Sequence, residues 1–318
     1  MTAYIIRRMI LAVIVLLLVS IFVFLALRLL PGDPVLMYMS ASSVQQITEE
    51  QLDLVRHEFG LDKTLPVQYF DWIGGVLHGD FGTSILNKSP VMQEILKRLP
   101  ITLYIGVLAF IVAIIAGIPA GVLCAIRRGS WLDNVVTTFA NLGITVPVFW
   151  LGIILIYIFA LYLKWLPVMG YTSPFTNFWL STRQLLMPVF CLAVGPLAGN
   201  ARQARSSMLE VISKDYIRTA WAKGLRERSV ILRHALKNGL MPVVTLSGIG
   251  VGTILGGSVL IEQVFNIPGM GRLAVTSVMN QDYPYVQAIA LIMAASVVFA
   301  NLLVDISYGW LDPRVHYN

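Results

Sequence analysis

The chain is 318 residues long, 57% hydrophobic and only 13% charged, with a formal net charge of +6. Soluble domains carry roughly a quarter of their residues as charged side chains, and a mean hydropathy of +0.76 excludes a soluble all-helical protein. The apolar residues fall in blocks long enough to cross about 30 Å of hydrocarbon, which makes this an all-α, multi-pass membrane protein.

The first block, Met9–Leu30, follows Arg7 and Arg8. At about 22 residues it exceeds the apolar core of a signal peptide, and Ala26-Leu27-Arg28-Leu29-Leu30-Pro31 offers no small-x-small cleavage site. Residues 1–30 are therefore expected to remain as an N-terminal anchor helix.

Residues 31–99 read as an external helical cap. Thr48 can cap a helix ending at Gly60, with Gln51 completing a capping box and Leu52, Val55 and Phe59 on one face. Pro66 to Leu77 predicts a second helix, with Val67, Phe70, Trp72, Ile73 and Leu77 as a broad apolar face. Such helices can lie over the outer mouth; loose surface decoration is the competing reading.

Five further blocks follow within residues 100–306: Ile101–Ile126, Val135–Leu163, Leu185–Ala201, Leu240–Leu260 and Val286–Ile306. Together with the first block they predict six transmembrane helices, with a short tail at 307–318. Pro188, Gly195, Pro196 and Gly199 crowd the fourth span, and a kink or broken turn is expected there.

Charge orients the chain. Arg127 and Arg128 stand in the turn after the second span, and Asn200 to Gly239 carries nine basic residues against three acids. Pro31 to Pro100 carries five basic residues against nine acids. An excess of Lys and Arg beside spans marks the cytoplasmic side, so both termini and both basic loops are expected inside. Lys97, Arg98 and Arg183 oppose that assignment and are fewer. The basic residues can also grip anionic lipid head groups, so the bilayer is the expected partner and no nucleic acid is called for.

Chemistry-bearing clusters are scarce. Cys124 and Cys191 both lie in spans and read as small buried hydrophobes. The histidines at 57, 78, 234 and 316 are scattered, so no metal site or catalytic residue is proposed. No Gly-x-x-x-x-Gly-Lys-Ser/Thr loop occurs, so the chain does not itself bind ATP in that way. Arg28, Glu262 and Asp305 sit at predicted span ends, where their charges can reach water or a partner.

The fifth span carries Gly248, Gly252 and Gly256 four apart on one face. Such a stripe lets helix backbones approach closely. Plain packing accounts for it; a smooth face along a transport pathway is the sharper reading.

The basic loop, 202–238, holds the most informative segment, Asp215-Tyr-Ile-Arg-Thr-Ala-Trp-Ala-Lys-Gly224. Tyr216, Ile217, Ala220 and Trp221 form an apolar face, Lys214, Arg218 and Lys223 a polar one, and Gly224 ends the helix. A helix this short is not stable alone. It needs a groove to lie in, either on a soluble partner or on the lipid surface.

These residues give the chain a specific resemblance. It resembles the permease subunits of ABC importers, in the branch that handles dipeptides, oligopeptides, nickel and glutathione. The marks run along almost the whole chain: Pro31-Gly-Asp-Pro34, Gly79-Asp-Phe-Gly-Thr-Ser84, Asp215 to Leu225, Arg233-His-Ala-Leu-Lys-Asn-Gly-Leu-Met-Pro242, Phe265-Asn-Ile-Pro-Gly-Met-Gly-Arg272 and Asp282-Tyr-Pro. The general coupling motif of importers is Glu-Ala-Ala, three residues, Gly, nine residues, Ile-x-Leu-Pro. Here Ala220 and Gly224 match and Arg218 and Thr219 depart; Pro242, with Gly239 and Met241 at the Ile and Leu positions, stands five residues later than the general spacing, and Arg-Thr-Ala is the usual variant of the peptide branch.

The resemblance implies the importer permease fold, a bacterial inner-membrane location and a non-catalytic role. It implies coupling to ATPases through Lys214, Asp215, Tyr216, Ile217, Arg218, Thr219, Ala220, Trp221, Lys223 and Gly224. Its implied partners are a second homologous permease, two ATP-binding subunits that hold ATP and Mg, and an extracytoplasmic binding protein. Short peptides are the expected cargo, with nickel chelates or glutathione as alternatives. A passive channel gives the basic loop no use. An ion-coupled secondary transporter needs charged or broken helices at midplane, at which only Gly195-Pro196 hints.

Overall fold

The computed structural model describes residues 2–29, 57, 60 and 62–311. The predicted helix ending at Gly60, the Pro31–Pro34 motif and the tail from Asp312 lie outside these or almost so. Among the described residues the architecture is all-α, and the β structure is one isolated bridge between Thr83 and Pro90.

Helix α1 covers Thr2–Leu29, α2 Leu65–Leu77, α3 Val91–Ile126 and α4 Trp131–Thr145. Helix α5, Val148–Leu155, continues as a π-helical stretch, Ile156–Tyr162. Helix α6 covers Phe178–Ile212 and α7 Asp215–Ala222. Helix α8, Glu227–Ser229, runs through a second π stretch, Val230–Ala235, into α9, Leu236–Gly239. Helix α10 covers Met241–Val264, α11 Met270–Met279 and α12 Tyr283–Leu311.

Among the described residues five helices are long and apolar enough to cross a membrane: α1, α3, α6, α10 and α12. The sixth predicted span is a broken pair, α4 and α5, bent by 108°. The break has a local cause. Pro147 lacks an N–H and disfavours helical backbone at the residue before it. Val146 is accordingly extended, at φ −73° and ψ 126°.

The broken turn that the fourth span's prolines and glycines admit does not occur. Helix α6 passes through Pro188 and Pro196 without interruption for 35 residues. It packs against α4, α5 and α10, and neighbours of this kind can serve the carbonyls that a proline frees. At about 52 Å it also outruns the hydrocarbon core. Its last turns, with Arg202, Arg205 and Glu210, therefore extend the helix into what the charge pattern alone reads as loop.

Ser130 caps α4 by accepting from the Asp133 amide, and Asn177 caps α6 by accepting from Leu180. Pro66 and Pro242 fall in the first turns of α2 and α10, where a missing N–H costs nothing.

The chain divides into two compact units. One comprises Thr102–Ile267 and Ala300–Asn318, the other Thr2–Ile101 and Pro268–Phe299; α3 and α12 contribute residues to both. The first unit is centred on α6. Its contacts with α3 are very close: a Cβ on Gly117 would stand 2.7 Å from the Leu197 carbonyl oxygen, and one on Gly121 would overlap the Ala201 carbonyl and lie 2.8 Å from Ala204 Cβ. Gly143 of α4 meets Val194 in the same way. The Gly117-x-x-x-Gly121 spacing is the close-approach signature of membrane helices.

The second unit packs Val91 and Ile95 of α3 against Met270 and Leu273 of α11 and Tyr285, Ala288 and Ile289 of α12. Beside it, Ser84 Oγ donates to Asp282 Oδ2 at 2.5 Å and the Ile85 amide to Asp282 Oδ1 at 3.2 Å. Two sequence motifs almost 200 positions apart are thus one buried joint. Helix α2 meets α1 through Gln68, Tyr69 and Trp72. Its predicted apolar face is only partly used: Val67, Phe70 and Leu77 stay exposed, because the aromatic and amide side chains one position away reach the hydroxyl and guanidinium groups of α1.

Candidate coupling site and helix interface

Helix α7 forms where the sequence predicts it. Lys214 is its N-cap residue, and Gly224 follows in the left-handed region at φ +74°, with its amide on the Trp221 carbonyl at 2.9 Å. That backbone is open to glycine at little cost.

Its apolar face is divided. Ile217 is 0% exposed and Ala220 6%, while Tyr216 and Trp221 on the flanks are each 44% exposed. Ile217 and Ala220 are not presented to a partner's groove. They pack with Ala125 of α3, Met208 of α6 and Val230, Ile231 and Ala235 of the second π stretch. An eight-residue helix cannot hold its shape by backbone hydrogen bonds alone, and here its own chain supplies the apolar platform.

The outward side carries Lys214, Asp215, Tyr216, Arg218, Thr219, Trp221 and Lys223, all exposed. Lys214 pairs with Glu210 at 3.0 Å and Arg218 with Asp215 at 3.6 Å, both on the surface, where such pairs contribute little stability. Tyr216 accepts a hydrogen bond from Asn238 Nδ2 at 3.0 Å, which ties α7 to α9. Gly239 packs on Met208, whose sulfur would lie 2.6 Å from an added Cβ. The platform therefore links α7 to the ends of two long helices, α3 and α6.

Next to it lies an ion pair that sequence reasoning does not single out. Asp133, 2% exposed, takes two hydrogen bonds from Arg205, Nε to Oδ1 at 2.6 Å and Nη2 to Oδ2 at 2.8 Å. The Gly129 amide donates to Oδ2 at 3.0 Å and Thr137 to Oδ1 at 3.3 Å. A bidentate Arg–carboxylate fork fixes orientation as well as distance. It clamps the start of α4 to the far end of α6.

Glu262 also departs from expectation. It is not a span-end charge open to water but is 1% exposed, accepting from Thr102 Oγ1 at 2.6 Å, which joins α10 to α3.

The three glycines of α10 play unequal parts. A Cβ on Gly248 would stand 2.8 Å from Val304, so this glycine admits α12 closely. Gly252 is half-buried, and Gly256 is exposed with open space beside it. The stripe is a tight contact at one end and a free face at the other. A cavity of about 130 Å³ lies at the α4–α5 break, lined by Val146, Val148, Cys191, Pro196, Thr253 and Gly257 among others. Among the described residues no three His, Cys, Asp or Glu side chains gather in a way that could hold a metal.

Comparison with known proteins bears on what this arrangement serves. Residues 117–317 match the family described as binding-protein-dependent transport system inner membrane component, and residues 1–106 match its N-terminal companion. A probable peptide ABC transporter permease of Sinorhizobium fredii is 43% identical over 317 residues, covering 100% of both chains. The oligopeptide transport system permease AppB of Bacillus subtilis is 41% identical and the glutathione transport system permease GsiC of Salmonella typhi 40% identical, again over 100% of both chains. An inward-facing structure of the MetNI methionine ABC transporter superposes with a TM-score of 0.57 at 18% identity, covering 70% of this chain and 97% of the other. That likeness concerns the fold alone.

Proposed function

This chain belongs to the binding-protein-dependent inner-membrane components of ABC importers, and we propose that it forms the path for short peptides and is driven through α7. Relatives named for peptide, oligopeptide and glutathione transport support this cargo. Those cargoes share a chemistry of a few amide bonds between charged ends. Substrate is moved, and no bond in it is broken.

The observation that carries the coupling role is the division of α7. Ile217 and Ala220 fasten it to α3 and α6, while Tyr216, Arg218, Thr219 and Trp221 are left on the outside. An amphipathic helix with its own platform and an aromatic outer edge suits a groove on a soluble motor. ATP-driven closure of two such motor subunits would move α7, and with it the ends of α3 and α6. The Asp133–Arg205 clamp extends that motion to α4.

Both basic turns, at Arg127 and at residues 202–238, belong on the cytoplasmic side. The broken pair α4–α5 must then cross the bilayer as one span, since a re-entrant pair would put the two turns on opposite faces. Both termini come out cytoplasmic on the same count. In the assembled importer a second permease completes the path, two ATP-binding subunits hold ATP and Mg, and an external binding protein delivers cargo.

The test separates the two sides of α7. Trp221→Arg and Arg218→Glu should insert normally and keep wild-type thermal stability, yet fail to retain the ATPase subunits on purification and fail to take up labelled dipeptide or oligopeptide. Ile217→Ala should instead lower stability. Retained ATPases and normal uptake in the outer-face variants would refute coupling through α7. Uptake that nickel or glutathione inhibits while peptides do not would refute the cargo.

A further inference from the structure

Helix α2 joins α1 at a definite level. Ser20 Oγ lies 2.9 Å from the Tyr69 hydroxyl, the Phe24 ring stacks 6.1 Å from Trp72, and Arg28 Nε donates to Gln68 Oε1 at 2.9 Å. The apolar span of α1 runs from Ile5 to Leu29, 25 residues, so its midpoint is Leu17. At 1.5 Å per residue Phe24 lies about 10 Å from the midplane, roughly 5 Å inside the edge of a 30 Å hydrocarbon layer. Arg28 reaches that edge, where its head can meet water or phosphate.

The wheel of α2 fits this level. With Gln68, Tyr69 and Trp72 turned to α1, the opposite side carries Phe70 at 69% exposed and Leu77 at 80% exposed, beside exposed Val67. Asp71 lies to one side, paired with Lys63 at 2.7 Å, both exposed. Trp72, at the level of Phe24, lies near the interface that Trp favours, whereas the Tyr69 hydroxyl, held at the level of Ser20, lies about 10 Å inside the hydrocarbon edge. On the side of α1 turned away from α2, Leu18, Phe22 and Leu29 are also bare.

We propose that α2 is sunk into the outer leaflet alongside α1, descending from the head groups, with Val67, Phe70 and Leu77 against lipid acyl chains and the Lys63–Asp71 pair at the head-group level. It is then a lipid-facing brace on α1 and not a surface that receives the external binding protein. The inference needs α1 to span the bilayer and is independent of coupling through α7.

Spin-label accessibility decides it. In the purified complex in lipid nanodiscs, with Cys124 and Cys191 replaced by alanine, single labels go on Phe70→Cys, Leu77→Cys and Lys63→Cys. Collision with oxygen should exceed collision with a water-soluble nickel chelate at 70 and 77, with the order reversed at 63. Labels at 70 and 77 that favour the nickel chelate would place α2 in water, and labels shielded from both reagents would place it under protein. Either result overturns the proposal, and Trp221→Arg should leave all three readings unchanged.

Discussion

Removing Arg205 should harm the protein more than neutralising its partner. In Arg205→Met, the Asp133 carboxylate, with side-chain exposure of 3%, keeps only Gly129 and Thr137 as donors. Breaking a buried pair from one side costs about 3–5 kcal/mol, because a buried charge is left uncompensated. Asp133→Asn leaves Arg205, whose side chain is 30% exposed, able to turn toward water. The amide oxygen still accepts from Gly129, so the loss should be nearer ~1–2 kcal/mol. A difference of about 2 kcal/mol corresponds to several degrees in melting temperature for a chain of this size. Cys124 and Cys191 are free and buried, so a thiol-reactive maleimide dye reports unfolding directly in detergent. Arg205→Met melting with the wild type, or Asp133→Asn proving the more damaging, would show that the fork does not clamp α4 to α6.

Two further outcomes follow from packing and orientation. Gly121→Val should lower melting temperature and abundance, since even its Cβ overlaps the Ala201 carbonyl, whereas Gly256→Ala, with open space beside it, should change neither; equal behaviour would mean that α3 and α6 can separate freely. With the native cysteines removed, a cysteine at Arg226 should resist a membrane-impermeant thiol reagent in intact cells while one at Phe175 reacts, and the opposite pattern would invert the topology.

The spans were legible because lipid imposes both length and composition on any helix that crosses it. Their breaks were not. Four proline and glycine residues in α6 leave it continuous, while the single Pro147 ends α4 and starts a new helix. Whether a proline breaks a helix depends on which neighbours can satisfy the freed carbonyls, and that is decided by packing. Helix α7 was legible in its period and in the stop at Gly224, but amphipathicity states only that a face is covered. That Ile217 and Ala220 are covered by Met208 and Val230, from the same chain, is tertiary information. Asp133 and Arg205, 72 positions apart, could not be paired from charge counts. The Gly117-x-x-x-Gly121 spacing was in plain view and would have marked that face of α3 for a close helix contact, though not its partner α6.

The division of α7 between an inner and an outer side has a consequence for how such a part can vary over time. On the proposed coupling through α7, the residues that hold the helix in place and those that would meet another protein are largely different, with Tyr216 and Trp221 on the flanks between them. Arg218 and Trp221 could then drift to suit a different motor while Ile217, Ala220 and the Tyr216–Asn238 bond keep the platform intact. A motor can likewise change its groove without the permease having to refold. Compatibility between the two proteins becomes a matter of a few surface substitutions, so duplicated importers can acquire private motors or come to share one while their membrane helices stay the same.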